Sequence, residues 1–296
     1  MLSVAPALAL LLEPASLGPH AQKPTARSEQ ASGRRAHSSQ RANEASSAHI
    51  ARAEGAHTIL SMRVAVISDL HLGNGDCTDG FGHEDDRFLM FLDHLEGNFE
   101  KVVLLGDIWE TLTTRRPRDP VTGLREAKLA HPELAKRFER PCYAYVHGNH
   151  DHVAGELGLA PEELVIEAGS TRLLFTHGHL YDVICRRARW LSEMGVWFGG
   201  WLKRLSLEPL YKAFDAVDNF REGPKHDSSR CLFQRWSTHL ARARNADVVV
   251  TGHTHVATRA EHGTQLFLNS GSCARGAFTW LSLDTTAGSY EVVRGW

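Results

Sequence analysis

The chain has 296 residues, of which 42% are hydrophobic and 23% are charged, and its formal net charge is −2 at pH 7. This composition excludes a fully disordered or fibrous chain, and the near-neutral charge argues against a broad nucleic-acid-binding surface. No apolar run reaches the roughly 18 residues of a transmembrane helix, and five scattered Cys without a CxxC pair argue against a disulfide framework or a thiolate zinc site.

The first segment, residues 1–61, is predicted to be a disordered tail. It contains no Phe, Trp or Tyr and is rich in Ala, Ser and Arg, so it offers little apolar surface to offset the entropy of ordering. The apolar stretch 4–12 raises the alternative of a secretion signal, but no Lys or Arg precedes it. A further alternative is that translation starts at Met62, directly before the first predicted strand, and that 1–61 are an artefact of start-codon choice.

Residues 62–296 have the pattern of one α/β domain, because short apolar runs alternate with amphipathic stretches. Strands are predicted at 63–68, 101–105, 142–146, 172–176, 247–251 and 265–269. A helix is predicted at 85–95, where Phe88, Leu89, Phe91, Leu92 and Leu95 form one apolar face. Apolar strands next to helices predict a buried mixed sheet covered on both sides, and ligands of such folds bind at the carboxyl ends of the strands.

Five of these strands end in Asp, Asn or His. The segments at their ends are Asp69-Leu70-His71, Gly106-Asp107, Gly148-Asn149-His150-Asp151, His177-Gly178-His179 and Gly252-His253-Thr254-His255. Glycine lets the backbone turn sharply and approach a ligand closely, and carboxylate, amide and imidazole groups bind Zn, Mn or Fe. Each segment alone could be a capping residue or a polar turn. Their shared position after successive strands predicts a metal centre.

These five segments, in this order, resemble the motifs of the calcineurin-like metallophosphoesterase superfamily, over the chain from Arg63 to about Leu283. The resemblance implies an α/β fold, a four-layer α/β/β/α sandwich of two mixed sheets with a helical insertion. It also implies a hydrolase with two divalent metal ions, with manganese as the first candidate and iron or zinc as alternatives.

The same resemblance implies roles for individual residues. One metal is expected to be bound by Asp69, His71 and His255, the other by Asn149, His177 and His253, with Asp107 as the bridging carboxylate. His150 is expected to face the phosphate as the catalytic acid or charge-stabilising group. Asp151 is a second catalytic candidate, which would orient His150 or pair with another group. His179 is either a residue that contacts metal or substrate or a solvated loop histidine.

A helical insertion is predicted at about residues 183–245. From Trp190 onward the apolar residues recur at helical spacing, and Gly199-Gly200 is expected to kink or end this helix; the apolar positions are Trp190, Leu191, Met194, Trp197, Phe198, Trp201, Leu202 and Leu205. A second helical stretch is predicted at 227–244. The aromatic face either packs on the sandwich or forms a cap that meets lipid at a membrane surface. Arg186, Arg187 and Arg189, with His179, are the candidate substrate-binding residues.

A narrower resemblance concerns the substrate. Asp69-Leu70-His71-Leu72, Gly106-Asp107-Ile108-Trp109-Glu110 and the position of the insertion are similar to the branch that hydrolyses UDP-2,3-diacylglucosamine. The best-known members of that branch carry Arg where this chain has His150, the form common in the wider superfamily. We therefore expect a phosphoester or pyrophosphate substrate linked to a lipid or a nucleotide.

The same residues are compatible with other functions. The alternative substrates are small nucleotides or phosphoproteins, cleaved by a general phosphodiesterase or phosphatase. A nuclease is disfavoured because the chain has no basic excess. A metal-binding scaffold without turnover would be expected to have lost a ligand or His150. We expect the protein in the cytoplasm, with possible peripheral contact at the inner membrane through the helical cap, and with no nucleic-acid partner.

Overall fold

The structure, a computed structural model, describes residues 61–207, 209, 210, 212 and 231–296. Apart from Ser61, the predicted disordered tail lies outside the described residues, as does the start of the second predicted helix at 227–230. The strands are β1 (Arg63–Ile67), β2 (Lys101–Leu105), β3 (Tyr143–Val146), β4 (Glu163–Ala168), β5 (Thr171–Thr176), β6 (Val248–Thr251), β7 (Thr258–His262), β8 (Gln265–Asn269), β9 (Thr279–Asp284) and β10 (Ser289–Arg294). The helices are α1 (Asp85–Asn98), α2 (Pro120–Ala130), α3 (Pro132–Arg137), α4 (Val153–Glu156), α5 (Val183–Arg187), α6 (Arg189–Arg204) and α7 (Leu232–Ala243), with a 3₁₀ turn at His179–Tyr181.

The strands form two mixed sheets of five strands each. The first sheet has the order β10-β9-β1-β2-β3, and the second has the order β4-β5-β6-β8-β7. In the first sheet, β1, β2 and β3 run parallel, while β9 and β10 are antiparallel to their neighbours. In the second sheet, β5, β6 and β8 run parallel between two antiparallel edge strands. The parallel strands thus form one end of the first sheet and the centre of the second.

Three apolar clusters give the molecule its layers. The cluster between the sheets includes Val64 and Val103 from the first sheet and Phe175 and Val250 from the second. A cluster on the outer face of the first sheet contains residues of α1, α2 and α3, and another on the outer face of the second contains Phe233 of α7. Alternating residues of each central strand therefore enter different clusters, as expected for strands buried on both faces. The four-layer α/β/β/α arrangement predicted from the sequence is confirmed.

The sequence explains the buried face of α1 and the start of α2. The predicted apolar face of α1 is present, with Phe88, Phe91, Leu92 and Leu95 buried, although the helix continues three residues further than predicted. Asp119 caps α2 by accepting a hydrogen bond from the Thr122 N–H at 3.3 Å, and Pro120 occupies the first helical position, where its missing N–H has no consequence.

The insertion differs from its prediction in two respects. Gly199-Gly200 was expected to kink or end the helix, but α6 continues through both to Arg204. Gly200 is buried against Thr113, whose Cγ2 would lie 3.1 Å from an added Cβ, so the missing side chain serves close packing. The buried side of α6 is narrow and consists of Gly199, Gly200 and Leu202. Most of the predicted apolar face is exposed, at Trp190, Leu191, Phe198, Trp201 and Leu205, whereas α7 packs on the second sheet as its outer layer.

Candidate metal centre

The predicted site residues lie where the carboxyl ends of the central strands meet. The loops after β1 and β2 stay hydrogen-bonded beyond the strands, since the N–H of Asp69 donates to the Gly106 carbonyl and that of His71 to the Asp107 carbonyl, both at 3.0 Å. The loops after β5 and β6 are linked in the same way, by the Gly252 N–H and the His177 carbonyl at 3.1 Å. The parallel topology of each sheet therefore assembles the polar segments.

Among the described residues, three groups of His and carboxylate side chains present ligand atoms within 4.8 Å of one another. The first group contains Asp69, His71 and His255, and the last contains Asp107, His177 and His253. These sets correspond to the two predicted metal sites, with Asn149 as the remaining amide. A middle group joins His71, Asp107 and His150. The structure thus brings all seven predicted metal ligands and the predicted catalytic histidine into adjoining loops.

Five of these residues have a backbone conformation that side chains rarely adopt. The φ angles of Asp69, His71, Asp107, His253 and His255 lie between 50° and 68°. This left-handed region is uncommon for residues other than glycine, and holding a residue there costs of the order of 1–3 kcal/mol. All five follow a strand end and direct their side chains into the same site, so the surrounding sandwich holds the loops in a conformation suited to ligand binding.

Two glycines permit the close approach that the sequence suggested. A Cβ on Gly148 would lie 2.2 Å from Oδ1 of Asp107, and one on Gly106 would lie 2.4 Å from the His177 ring. Gly106 also has a positive φ of 77°. Any side chain at either position would displace a candidate ligand, so these glycines are part of the site's geometry.

The contacts of the two ring nitrogens of His177 indicate that this group of side chains fits a cation. Its Nδ1 donates to the Leu105 carbonyl at 2.9 Å, so the neutral ring presents a lone pair at Nε2. That Nε2 is buried and lies 3.1 Å from Oδ2 of Asp107, yet has no hydrogen-bond partner. Two lone pairs facing each other in a buried site require a proton or a metal ion between them. Burial alone would lower the pKa of His177, but the charge of Asp107 raises it to about 9.

Other buried atoms lack partners in the same place. Oδ1 of Asp69 and Oδ1 of Asn149 are buried without a hydrogen bond, although Nε2 of His255 lies 3.1 Å from the Asp69 oxygen. Oδ2 of Asp69 is instead bonded by the Ser68 hydroxyl and the His253 N–H. Burial and the charge of His177 lower the pKa of His253 to about 3, which leaves its ring neutral. Oxygen and imidazole donors with free lone pairs suit a divalent metal ion.

Glu110 is a site residue whose role the sequence did not reveal. Its Oε2 lies 2.7 Å from Nδ1 of His150 and 3.6 Å from Nδ1 of His71, and the carboxylate is nearly fully buried. Burial would lower the pKa of His150, but the charges of Glu110 and Asp107 raise it to about 10. The available signal was the position of Glu110, three residues after Asp107 in the segment Gly106-Asp107-Ile108-Trp109-Glu110. This segment supported the family resemblance but indicated no role for the carboxylate.

Asp151 lies next to the site but faces the backbone of the loops. Its carboxylate accepts hydrogen bonds from the Ile108 N–H at 2.7 Å, the Gly148 N–H at 2.6 Å and the Tyr145 hydroxyl at 2.7 Å, with longer bonds from Asp107 and Trp109. The partner of the His150 ring is Glu110. These contacts make Asp151 a positioning residue that fixes the loop after β2.

The predicted substrate residues differ in their placement. A cleft of about 450 Å³ adjoins the metal centre and is lined by Asn149, His179, Arg186 and Arg189 among others. Arg187 is exposed and is not among the lining residues. A larger groove of about 730 Å³ lies between β7 and β10 and contains none of the candidate site residues. The 450 Å³ cleft is therefore the one related to the chemistry.

Within the part of the chain that the structure describes, no helix combines the length and the apolar character needed to span a membrane.

Comparisons with known proteins agree with this site. Residues 62–257 match the family Calcineurin-like phosphoesterase. None of the curated proteins is a significant sequence match.

Solved structures with a similar fold were also found. The Escherichia coli phosphoesterase YfcE is 19% identical with a TM-score of 0.36, over 78% of this chain and 98% of its own. An archaeal phosphodiesterase is 17% identical with a TM-score of 0.41, over 79% and 100%. Vps29 of Chaetomium thermophilum is 16% identical with a TM-score of 0.42, over 79% and 94%. At these low identities and TM-scores, none of the three indicates a substrate for this chain.

Proposed function

Because the chain belongs to the calcineurin-like phosphoesterase family, and is thus a metal-dependent hydrolase of phosphoester bonds, we propose that it works through a dinuclear metal centre. The observation that carries this proposal is a pair of side-chain triads linked by a third group, which contains His71 of one triad and Asp107 of the other. One triad is Asp69, His71 and His255, and the other is Asp107 with His177 and His253. Asn149, with its unpartnered buried oxygen, completes the second set.

Divalent cations held by these residues would supply Lewis acidity and an activated water for hydrolysis. Manganese is the first candidate, with iron and zinc as alternatives, because mixed oxygen and nitrogen ligands suit all three. Of the two carboxylates, Asp69 belongs to one of the three ligand groups and Asp107 to two, and a carboxylate has the two oxygens that a bridging ligand requires.

His150 is the residue we assign to the reacting phosphate. Its Nδ1 is held by Glu110, so a protonated ring carries its second N–H on Nε2. The raised pKa keeps this ring cationic at neutral pH, and a cation at this position can stabilise charge on the phosphoryl oxygens or protonate the leaving oxygen. Its backbone N–H donates to Oδ1 of Asp107 at 2.8 Å, which ties its position to that of the bridging candidate.

The substrate we propose is a phosphodiester or pyrophosphate linked to a lipid or a nucleotide. The cleft beside Asn149 offers room for a substituent on the phosphate. The outer face of α6 offers apolar surface, since Trp190 is 56% exposed and Trp201 is 42% exposed. Basic residues flank these aromatics, among them Arg187 and Lys203. Such a combination suits contact with an anionic membrane surface, where a lipid-linked substrate would be found.

The dinuclear proposal is tested by metal content. The full chain would be freed of metal, loaded with Mn²⁺ and assayed for bound metal and for hydrolysis of bis(p-nitrophenyl) phosphate. We expect two metal ions per chain in the wild type. Asp107→Asn should bind fewer ions and lose nearly all activity, because the proposed bridging ligand loses its negative charge. Asp86→Asn, which alters an exposed carboxylate on α1, is the matched control and should retain both.

Two outcomes would contradict the proposal. One ion per wild-type chain at saturating Mn²⁺ would exclude a dinuclear centre. Full activity in Asp107→Asn would show that this carboxylate does not bridge. In the same assay, hydrolysis of UDP-2,3-diacylglucosamine compared with a p-nitrophenyl monoester tests the substrate class, and a preference for the monoester would favour a general phosphatase instead.

A further inference from the structure

The cleft of about 450 Å³ lies between the loop after β3 and the helices α5 and α6. Asn149 lines its inner end, so the cleft opens onto the proposed metal centre. His179, from the 3₁₀ turn after β5, lines the same space. Its volume is within the range of small-molecule sites. A substituent on a phosphate held by the metal centre therefore has a direct way into it.

Most of the charge in this cleft is already neutralised within the protein. Nη2 of Arg189 lies 2.7 Å from Oε1 of Glu156, and its Nε lies 3.0 Å from Oε1 of Glu193. His152 approaches Glu193 at 3.5 Å. This network joins α6 to α4 and fixes the wall of the cleft. Arg189, although a predicted substrate residue, is thus engaged in holding the wall.

Two lining residues of opposite charge remain. Arg186 and Glu162 line the cleft, and neither has an ion-pair partner among the residues that the structure describes. Both residues are exposed. An arginine offers only donors and a carboxylate only acceptors. Together they match a ligand that carries both acceptor and donor groups.

The inner end of the cleft also requires a polar ligand. Nδ1 of His179 is buried without a hydrogen-bond partner, and the residue as a whole is only 7% exposed. An acyl chain in this cleft would leave that buried nitrogen without a partner and would offer no hydrogen-bonding group to Arg186 or Glu162. The exposed aromatics Trp190 and Trp201 offer a lipid a better surface on the outside of α6.

We propose that this cleft binds the hydroxylated ring of the substrate, a ribose or other sugar on the retained side of the phosphodiester, and that Arg186 and Glu162 select it. The inference rests on the proposed phosphoesterase function and adds the chemistry of one substrate arm. Sugar hydroxyls donate to Glu162 and accept from Arg186, so one ring satisfies both residues. An alkyl arm satisfies neither.

The experiment varies this arm and keeps the leaving group constant. The full chain with Mn²⁺ would be assayed on three p-nitrophenyl phosphodiesters, whose retained arms are 5′-thymidine, 6-glucose and octyl. We expect kcat/KM to be higher for the two sugar esters than for the octyl ester. Arg186→Ala and Glu162→Gln should each reduce that preference by about 10–100-fold, mainly through KM, because each removes hydrogen bonds to a charged group.

Arg125→Ala is the matched control, since Arg125 is an exposed arginine of α2 outside the cleft. It should leave the preference unchanged.

A preference for the octyl ester, or a sugar preference that survives both Arg186→Ala and Glu162→Gln, would overturn the inference. An equal loss on all three esters in Arg186→Ala would overturn it too, because Arg186 would then act at the reacting phosphate. No hydrolysis of any ester by the wild type would instead contradict the proposed function. The thymidine and glucose esters separate a site that needs a base from one that needs only a sugar ring.

Discussion

At the scale of single residues, the contact between Glu110 and His150 determines the charge that this part of the site presents to a phosphate. Both side chains lie in a site from which most water is excluded, so the 2.7 Å bond between them is much stronger than it would be in water. Burial would raise the pKa of Glu110, but the charge and hydrogen bond of His150 hold it below its usual value. The pair is therefore a carboxylate and an imidazolium at neutral pH.

Glu110→Gln should keep the metal ions and lower kcat by about 10–100-fold, the usual effect of removing a group that orients a catalytic or metal-binding histidine. The amide carries no charge, so the pKa of His150 should fall and the alkaline limb of the kcat–pH profile should move to lower pH. The measurement is that profile, together with metal content. Glu139→Gln, an exposed carboxylate on the surface, is the control.

A lower kcat with an unchanged pH profile would show that Glu110 acts on packing only. Loss of metal in Glu110→Gln would show that its contact with His71 matters more than its contact with His150. His150→Ala distinguishes the roles further, because it should keep the metals while the rate falls by about 10²–10⁴-fold. Metal loss in that variant would make His150 a ligand.

At the scale of elements, α6 is a helix held at both ends, and much of its apolar face is exposed. Arg189 at its start pairs with Glu156, and Arg204 at its end lies 2.8 Å from Asp76 and donates to the Thr113 carbonyl. These contacts reach the loops after β3, β1 and β2, so the helix is fixed over the side of the site that they form. Its apolar outer face is thus presented in a defined orientation.

The membrane contact proposed for this face predicts binding to anionic vesicles. The full chain should cosediment with vesicles of phosphatidylglycerol and phosphatidylcholine, and less so as salt rises. Replacing Trp190 and Trp201 together by Ser should weaken binding at least about tenfold, since each indole contributes more than about 1 kcal/mol when buried. Leu129→Ser, at an exposed leucine on α2, should have no effect. Equal binding by all variants would exclude α6 as the contact surface.

A second link between elements should make stability depend on pH. His131, between α2 and α3, lies 2.8 Å from Asp85 of α1 and 3.3 Å from Asp79 in the loop after β1. Burial would lower the pKa of His131, but the hydrogen bonds to Asp79 and Asp85 raise it above its usual value. A raised pKa in the folded state means that the imidazolium stabilises the fold below about pH 6.5 and that this stabilisation is lost as pH rises through the folded pKa.

His131→Asn should therefore lower Tm most at mildly acid pH and least at alkaline pH. The expected difference is about 2–4 °C for each kcal/mol lost in a domain of this size. Thermal unfolding of both proteins between about pH 5.5 and pH 9 measures it. A Tm difference that stays constant over this range would mean that His131 acts through packing and neutral hydrogen bonds.

At the scale of the whole molecule, the described site and the described clusters all lie within residues 61–296. The chain 62–296 should then have the metal content and kcat/KM of the full chain, because its first strand begins at Arg63. The backbone N–H of Met62 donates to the Thr285 hydroxyl at 2.9 Å, a bond that a terminal amine can also make. A loss of more than a few-fold in kcat/KM would show that residues 1–61 contribute to the active protein.

The sequence predicted the parallel strands well and the antiparallel strands poorly. β2 and β8 have the predicted bounds, and β1, β3, β5 and β6 differ by a residue, because continuous apolar runs identify strands buried on both faces. The missed strands β4, β7 and β10 lie at sheet edges and are half-exposed, so polar residues interrupt them. β9 was also missed, although three of its six residues, Trp280, Leu281 and Leu283, are buried.

For the site, ligand types after successive strands were enough to predict which residues meet. What the sequence could not show is which side chain faces which. The pairing of Glu110 with His150 depends on how the loops after β2 and β3 lie against each other, and the direction of the Asp151 carboxylate depends on the backbone of the same loops. Helical periodicity likewise predicted an apolar face on α6 but not whether another element covers it.

The left-handed backbone of Asp69, His71, Asp107, His253 and His255 has a consequence for how such a site is inherited. Each of these residues would be relieved of strain by glycine, so a mutation that destroys the chemistry can at the same time make the fold more robust. Natural selection for hydrolysis must act continually against that drift. A lineage released from the need for catalysis would be expected to lose these five side chains early while it keeps the sandwich intact.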